Sequence, residues 1–248
     1  MTGKTVLVIG ANRGIGFCIV QALSQRLPSS HLLLGCRSVE NGEEAIKKLR
    51  ALGAKSEMNV VQIDITDNDS IQAAERDVRS KYGKLDILVN NAAIAEIIKD
   101  LSSLRNSYNR IFNMNITPVA YTMMVFLPLI RETSSDPRVI SISSRRGSLK
   151  ISASGTSPPT QAISYGVSKA ALNLLMVEFS RVDENKNVVF HSACPGHCAT
   201  AFNGYRGARD PLDGAGIIVE LIACEREEYP SGFWKKDSED KKPMAVPW

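Results

Sequence analysis

Short apolar runs alternate with amphipathic stretches along most of the chain. The apolar runs are rich in β-branched residues, which favours strands. Strands that are apolar almost throughout are typical of a parallel sheet covered on both faces. The predicted strands are Thr5–Gly10, His31–Cys36, Asn59–Asp64, Leu85–Asn90, Arg138–Ser143 and Val188–Ala193.

Between the predicted strands, apolar residues recur at helical spacing. No Pro- or Gly-rich linker divides the chain and no internal repeat is present, so we predict one domain over residues 1–248. Alternating strands and helices predict an α/β fold, a Rossmann-type doubly wound, mainly parallel sheet of about seven strands with helices on both faces. The predicted helices are Gly14–Gln25, Glu43–Leu52, Ser70–Lys81, Leu104–Arg131 and Ile163–Asn185.

Two segments do not follow this alternation. Ser148–Thr160 is rich in Ser, Gly and Pro and is predicted to be a loop. Ala199–Ala215 is a second predicted loop that leads into a further helix. Both follow strands, and ligands of open α/β sheets bind beyond the carboxyl ends of strands. We therefore expect both loops on the substrate side.

Composition narrows the classes of function. The chain is 44% hydrophobic and 23% charged, with a net charge of +4, as in ordinary globular proteins. Lys and Arg are scattered, which argues against nucleic-acid binding. No apolar run approaches the length of a membrane span, and no signal-peptide pattern precedes the first strand. We therefore expect a protein without a nucleic-acid or membrane partner.

The five cysteines include no CxxC pair, which indicates reduced thiols and a cytoplasmic protein. Cys194, His197 and Cys198 lie close together in sequence, but their spacing does not match the usual zinc motifs. No metal site is predicted.

A glycine-rich segment lies between the first predicted strand and helix. Glycines allow a tight turn and a close approach of the backbone to a pyrophosphate, which would sit at the helix N-terminus. The spacing GxxxGxG is less common than GxGxxG, and the alternative is a plain strand-to-helix connection. The predicted cofactor contacts here are Gly10, Asn12, Arg13, Gly14, Ile15 and Gly16.

The end of the second strand bears on the choice of cofactor. NAD-binding proteins usually place an acid there, whereas NADP-binding proteins place arginine. Here Arg37 follows the strand, and no acid occurs before Glu40. Arg13 could supply a second cation for a phosphate dianion. NADP(H) is therefore the predicted cofactor, the alternative being that Arg37 is a solvated loop residue.

Two further strand ends carry candidate cofactor contacts. Asp64 and Ile65 end the third strand, where a carboxylate and an amide could contact an adenine. Asn90 and Ala92 end the fourth. Such residues also cap turns through backbone hydrogen bonds, so neither pair is specific by itself.

Tyr165 and Lys169 are four residues apart in a predicted helix and therefore share one face. A free tyrosine has a pKa of about 10. A fixed cation favours the phenolate and lowers that pKa toward the range useful for acid–base catalysis. Alone the pair is a weak signal, because many helices contain one by chance.

The ordered series of motifs resembles the short-chain dehydrogenase/reductase family, over roughly residues 4 to 204. A weaker likeness of the C-terminus points to a carbonyl-reductase-like branch. Each motif is common by chance, but the full series in this order is not. It comprises Gly10–Gly16, Asn90–Ala92, Asn115, Ser144 with Gly147, Tyr165 with Lys169, Pro195-Gly196 and Thr200.

The resemblance implies a catalytic set of four residues. Ser144 would polarise a substrate carbonyl, and Tyr165 would donate a proton to the developing alkoxide. Lys169 would bind the nicotinamide ribose and depress the tyrosine pKa, and Asn115 would hold a water that links Lys169 to solvent. Ser144 is preferred over Ser143 because members of the family have the active serine three residues before a glycine, which here is Gly147.

The resemblance to the family also implies that Pro195, Gly196 and Thr200 contact the nicotinamide end of the cofactor. The implied activity is NADPH-dependent reduction of a ketone or aldehyde, with a small-molecule carbonyl or alcohol as substrate. A homodimer or homotetramer through the helices containing Leu104–Arg131 and Ile163–Asn185 is expected. Two alternatives stay open: non-redox or coupled chemistry such as epimerisation, dehydration or cyclisation, and a non-catalytic NADP(H) sensor.

The sequence departs from the family pattern at three places. Ile9 precedes the first glycine where threonine is usual, and Ala93 replaces a usual glycine. The separation of Ser144 and Tyr165 is 165 − 144 = 21 residues, longer than the family's common spacing. The excess falls in 148–160, which is interpreted as an insertion that either covers the substrate entrance or blocks an oligomer interface.

Overall fold

The computed structural model describes residues 3–97, 100–156, 158–237 and 241–248. Strands and helices alternate along this part of the chain. The strands are β1 Thr5–Ile9, β2 His31–Cys36, β3 Glu57–Gln62, β4 Ile87–Asn90, β5 Arg138–Ile142, β6 Val189–Cys194, β7 Gly232–Lys235 and β8 Met244–Ala245. The helices are α1 Gly14–Arg26, α2 Val39–Ala51, α3 Asn68–Tyr82, α4 Leu101–Asn115, α5 Thr117–Thr133, α6 Leu149–Ala153, α7 Ile163–Ser180 and α8 Pro211–Ala223.

The strands form a single sheet in the order β3-β2-β1-β4-β5-β6-β7-β8. All neighbours are parallel except β7 and β8. The strand order reverses between β1 and β4, which pair directly with Ile9 opposite Asn90. Such a reversal leaves a crevice at the carboxyl ends of the strands, and this crevice receives the site described below.

Helices cover both faces because the strands carry apolar side chains on both sides. On one face α1, α2 and α8 pack through residues such as Ile19, Leu49 and Ile218. On the other, α3, α5 and α7 pack through residues such as Phe126 and Met176. The predicted Rossmann-type doubly wound fold is confirmed, with eight strands where about seven were expected.

The helical stretch predicted over Leu104–Arg131 is two helices. The backbone breaks at Ile116, with φ −123° and ψ −65°, between α4 and α5. Pro118, near the start of α5, has no N–H to continue a hydrogen-bond ladder from α4. The helix predicted over Ile163–Asn185 is also too long, because α7 ends at Ser180 and a separate 3-10 turn follows.

The predicted loop 148–160 is wrong in its first part, which contains the helix α6. Ser148 caps this helix by accepting a hydrogen bond from the Ile151 N–H at 3.1 Å. The short helix also contacts the chain's C-terminal residues, which no local pattern in the segment could reveal. Ser157 lies outside the described residues.

In the described part of the chain, Leu101–Thr133, which spans α4 and α5, contains a window that is long and apolar enough to cross a membrane. By that criterion the expectation of no such stretch is wrong. Half of the apolar window is buried in the fold, and a buried core helix passes the same test. The absence of a membrane partner therefore stays a prediction.

Candidate active site

The glycine-rich turn joins β1 to α1 with backbone geometry that favours glycine. Gly10 and Gly14 have φ of 74° and 57°. A Cβ on Gly16 would lie 2.3 Å from the Gly10 carbonyl oxygen, so the turn folds tightly onto the helix. The first N–H groups of an α-helix have no partner within it. They are therefore available to an anion at the N-terminus of α1.

Asn91 supports this turn from the neighbouring strand. Its Nδ2 donates to the carbonyls of Ile9 at 3.1 Å and Gly10 at 3.0 Å. The predicted contact residue Asn90 instead turns into the sheet and donates to Ser141 Oγ at 3.3 Å. Adjacent strand residues face opposite sides, so Asn91 rather than Asn90 reaches the turn. A contact of Asn90 with the cofactor stays a prediction.

The two arginines predicted to bind a ribose phosphate follow neighbouring strands. Arg13 occupies the N-cap position of α1 without a capping bond from its side chain, Arg37 follows β2, and both are exposed. Ser38 is committed to α2, because its Oγ accepts from the Asn41 N–H at 3.1 Å and donates to Glu40 at 2.7 Å. Because Arg13 and Arg37 are exposed, their guanidinium groups are accessible to a ligand phosphate at this edge of the sheet.

Asp64 and Ile65 lie at the carboxyl end of β3, as predicted. The Asp64 carboxylate accepts hydrogen bonds from the N–H and hydroxyl of Thr66 at 2.9 and 2.7 Å. Burial by itself would raise the pKa of Asp64. The bonds from Thr66 and the charge of Arg37 lower it by more, so the net pKa lies below the ordinary value and the carboxylate is ionised. A cavity of about 650 Å³, lined in part by Ile65, Ile94 and Met114, opens beside it.

The two serines at the end of β5 have different environments. Ser143 is buried and donates to Asn173 Oδ1 at 2.6 Å. Ser144 is half-buried, accepts from the Arg146 N–H at 3.2 Å, and interacts with the Tyr165 side chain. The geometry thus brings Ser144, rather than its neighbour, to the tyrosine.

Gly147 allows this strand end to sit directly on α7. A Cβ at Gly147 would lie 2.6 Å from the backbone carbon and oxygen of Lys169. The Gly147 carbonyl also accepts from Asn173 Nδ2 at 3.2 Å. Through Asn173 and Gly147, the segment that carries Ser144 is fixed against the helix that carries the tyrosine–lysine pair.

Lys169 is 3% exposed, and its Nζ donates to the Ile142 carbonyl at 2.7 Å. The same atom lies 5.6 Å from the centroid of the Tyr165 ring. Burial lowers the pKa of Lys169 to about 8, and the nearby Cys194 partly opposes this. The pKa of Lys169 is therefore close to neutral pH, so small changes in its surroundings change the fraction of the lysine that is charged.

Burial raises the pKa of Tyr165 above its ordinary value, Cys194 adds to the effect, and the Ser144 hydroxyl opposes it. The expected lowering of the tyrosine pKa by Lys169 is not found. Desolvation of the phenolate outweighs the influence of a cation whose Nζ is bonded to Ile142. Tyr165 is therefore protonated at neutral pH, which is the form able to donate a proton.

Asn115 lies at the end of α4 with its side chain fully engaged. Its Oδ1 accepts from the Ile94 N–H at 2.9 Å, and its Nδ2 donates to the Ile94 carbonyl and to Ser168 Oγ at 2.9 and 3.0 Å. The residue joins the loop after β4 to α7. The water that Asn115 is expected to hold stays a prediction.

The loop after β6 approaches both the glycine turn and the tyrosine. Gly196 has φ of 85°, and Pro195 is buried. Thr200 is buried and its Cγ2 lies 3.8 Å from the position of a Cβ on Gly14. Farther along, the Phe202 ring meets the Tyr165 ring edge-on at 5.7 Å between centroids.

Arg209 also fixes the loop after β6, a role that the sequence did not predict. Its guanidinium donates to the carbonyls of Lys236 at 2.6 Å and Asp213 at 2.9 Å. A Cβ on Gly196 would lie 3.2 Å from Arg209 Cδ. The bond to Lys236 joins residues 27 positions apart in the chain, so no local sequence pattern predicts it.

The cysteine–histidine cluster is divided by the fold. Cys198 Sγ interacts with the Pro195 carbonyl at 3.3 Å, and Cys194 packs in an apolar cluster with Phe233 and Val246. Within the part of the chain that the structure describes, no group of three His, Cys, Asp or Glu side chains is arranged to hold a metal ion.

A doubly wound sheet with an anion-accepting glycine turn and an adjacent Ser–Tyr–Lys set defines a nucleotide-dependent enzyme of the Rossmann type. Comparison with known proteins gives the particular family. The family model described as short chain dehydrogenase matches residues 4–210, and the chain belongs to this family of oxidoreductases.

Similar proteins share this architecture over nearly their whole length. A short-chain dehydrogenase/reductase of Aspergillus fumigatus is 34% identical over 264 residues, covering 100% of this chain and 98% of the relative. The NADPH carbonyl reductase 1 of Sus scrofa is 27% identical, with coverages of 99% and 97%. The NADPH-bound carbonyl reductase from chicken fatty liver is 25% identical with a TM-score of 0.80, and each chain is covered completely.

Proposed function

We propose that this protein is an NADPH-dependent reductase that converts a ketone or aldehyde to an alcohol, with Tyr165 as general acid. The observation that carries the proposal is the interaction of Ser144 with Tyr165, whose ring centroid lies 5.6 Å from Nζ of the buried Lys169. The carbonyl reductases among the relatives support the same direction.

The residues at the strand ends fit NADP(H). The close approach at Gly16 leaves the backbone of the turn open to a pyrophosphate, and the exposed Arg13 and Arg37 suit the additional phosphate of NADP(H). Bound there, NADPH supplies the hydride. The proposed contacts are Gly10, Asn12, Arg13, Gly14, Ile15, Gly16, Arg37, Asp64, Ile65, Asn90, Ala92, Tyr165, Lys169, Pro195, Gly196 and Thr200.

The catalytic roles follow from which groups can donate protons. Tyr165 is protonated at neutral pH, as any tyrosine is whose pKa is not lowered, and its hydroxyl proton passes to the carbonyl oxygen as negative charge develops there. The Ser144 hydroxyl donates a hydrogen bond to the same oxygen and stabilises the developing alkoxide. Lys169 binds the ribose and, with a water held by Asn115, returns a proton to Tyr165.

The remaining expectations belong to the same proposal. The substrate is a small carbonyl or alcohol compound, and the protein is a homodimer or homotetramer. Exposed apolar side chains on the helices expected at the interface support this assembly, namely Leu104, Val167 and Leu174. All five cysteines lie in the described part of the chain and are free thiols, which supports a cytoplasmic protein.

The deciding experiment measures NADPH oxidation across a panel of ketones, aldehydes and quinones, beside NADH. We expect turnover with NADPH that falls by about 10²- to 10⁴-fold in Tyr165→Phe, because the general acid is lost. Tyr108→Phe is the matched control, since Tyr108 lies on α4 and stacks on Phe112.

Three outcomes would contradict the proposal. Binding of NADPH without reduction of any carbonyl would favour non-redox chemistry or a sensor. Clear preference for NADH would mean that Arg13 and Arg37 do not select the cofactor. Equal activity of wild type and Tyr165→Phe would remove the tyrosine from the chemistry.

A further inference from the structure

The last five residues of the chain, 244–248, form a C-terminal tail that is bonded to α6. Ser148 Oγ donates to the Pro247 carbonyl at 2.6 Å, and the Lys150 N–H donates to the Trp248 carbonyl at 3.1 Å. The first of these bonds joins residues 99 positions apart in sequence. Both attach the segment 148–156, which carries α6, to a distant part of the chain.

Apolar packing strengthens the same attachment. Val246 is buried and its N–H donates to the Phe233 carbonyl at 2.7 Å. Val246 and Phe233 form an apolar cluster with Cys194, against which Ile151 of α6 packs. The Trp248 ring stacks on Phe233 at 5.6 Å with 28° between the planes. The tail, which begins with the edge strand β8, therefore joins the sheet to α6.

This assembly adjoins the candidate active site on two sides. Ser148 directly follows Gly147, which packs on the backbone of Lys169. Cys194, in the apolar cluster, is close enough to Tyr165 and Lys169 to raise the pKa of both. The tail thus fixes a segment that begins where the catalytic turn ends.

We propose that the C-terminal tail is a positioning element that holds α6 as a preformed wall for the larger substituent of a carbonyl substrate. The inference rests on the proposed function. The segment offers little apolar anchorage of its own, since Leu149 is 71% exposed. Without the tail, ordering this segment would cost conformational entropy at the moment of substrate binding. The tail removes that cost in advance.

Four variants separate this role from a general loss of stability. Deletion of Pro247–Trp248 removes both tail bonds but leaves the Ser148 cap of α6. Ser148→Ala removes the cap and the bond to Pro247 but leaves the backbone bond between Lys150 and Trp248. Ser148→Thr keeps a hydroxyl and should restore the wild-type behaviour. Ser180→Ala is the control, because it also loses one bond to a backbone carbonyl, that of Val177 at 2.7 Å, at the far end of α7.

Hydrogen exchange of the NADPH-bound protein tests whether the tail holds α6. We expect faster exchange of the amides in 149–156 in the deletion and in Ser148→Ala, and no change there in Ser180→Ala. Unchanged exchange in the deletion variant overturns the proposal. This readout does not depend on turnover, so it decides the positioning claim even if no carbonyl is reduced and the proposed function fails.

Kinetics test whether the wall selects substrates. For a bulky aryl ketone, the deletion should raise KM by about three- to tenfold, as expected for the loss of one or two hydrogen bonds. The KM of a small aliphatic aldehyde, the kcat of both substrates and the NADPH affinity should stay within about twofold. Equal losses for both substrates, or a parallel loss of NADPH affinity, would show a merely structural role and overturn the proposal.

Discussion

The cofactor side and the substrate side of the site are held in different ways. On the cofactor side, the turn is fixed mainly by its own glycines, as where Gly16 packs on Gly10, and Asn91 adds a bond from the adjacent strand. On the substrate side, bonds between segments far apart in sequence do the same work, as between Ser148 and Pro247 or Arg209 and Lys236.

The difference follows from what each side must bind. A pyrophosphate requires backbone amides at fixed positions, which a few glycines beside a helix N-terminus provide. A substrate pocket needs only walls of suitable shape, and many combinations of loops can supply them. We therefore expect single substitutions to have large, specific effects on the cofactor side and smaller, graded effects at the walls of the substrate side.

Gly16→Ala should give the largest effect. Its Cβ would lie 2.3 Å from the Gly10 oxygen and 2.7 Å from Asn91 Nδ2, so the turn must shift and displace the amides that face a phosphate. We expect the dissociation constant for NADPH to rise about a thousandfold, measured by fluorescence titration. Gly216→Ala in α8 is the control, because a Cβ there meets nothing within 4 Å. Equal affinities of the two variants would contradict the account of the turn.

Lys169→Met should change how stability depends on pH. Burial lowers the pKa of Lys169 from 10.5 to about 8, so the folded wild type carries a penalty of about 3 kcal/mol below pH 8. Because the unfolded state binds more protons between pH 8 and 10.5, wild-type stability should rise across that window relative to the variant. The raised pKa of Tyr165 contributes equally to the stability of wild type and variant, so it does not affect the difference between them.

Urea unfolding at a series of pH values measures this difference. Lys55→Met, at an exposed position, is the control and should follow the wild-type curve. A constant difference between wild type and Lys169→Met from pH 7 to 10 would contradict the burial argument.

Arg37→Glu tests whether the cofactor side also selects the cofactor. Replacing a phosphate-binding cation by an acid should lower kcat/KM with NADPH by about thirtyfold, and it should favour NADH, whose ribose hydroxyls an acid can accept. Arg76→Glu makes the same charge change at an exposed position on α3 and should alter neither value beyond about twofold. A similar loss in both variants would indicate a general electrostatic effect.

The sequence predicts the cofactor side better than the substrate side for the same physical reason. Alternating strands and a glycine turn are local patterns, and they predicted the doubly wound fold and the position of the turn. The helix α6 within 148–160, the break at Ile116 and the tail bond to Ser148 were missed. They depend on contacts between distant segments, or on one proline, and no periodicity records them.

The tyrosine pKa shows a second limit. A lysine four residues away predicts a lowered pKa for Tyr165, but the net shift depends on how deeply the phenol is buried and where the lysine nitrogen points. Burial dominates here, and Nζ points to Ile142. Helical spacing fixes which residues share a face, but it does not fix their solvation or hydrogen bonds.

Phe202→Ala should give the smallest effect and so probes the substrate side most sharply. The Phe202 ring meets Tyr165 edge-on but is 47% exposed, so its removal sacrifices one partly solvated aromatic contact. We expect KM for an aryl ketone to rise about threefold, with kcat and NADPH affinity within about twofold. The KM of Phe202→Leu should lie between those of Phe202→Ala and wild type. A tenfold fall in kcat at unchanged KM would make Phe202 part of the proton-transfer geometry, and the contrast between a sensitive cofactor side and a tolerant substrate side would fail.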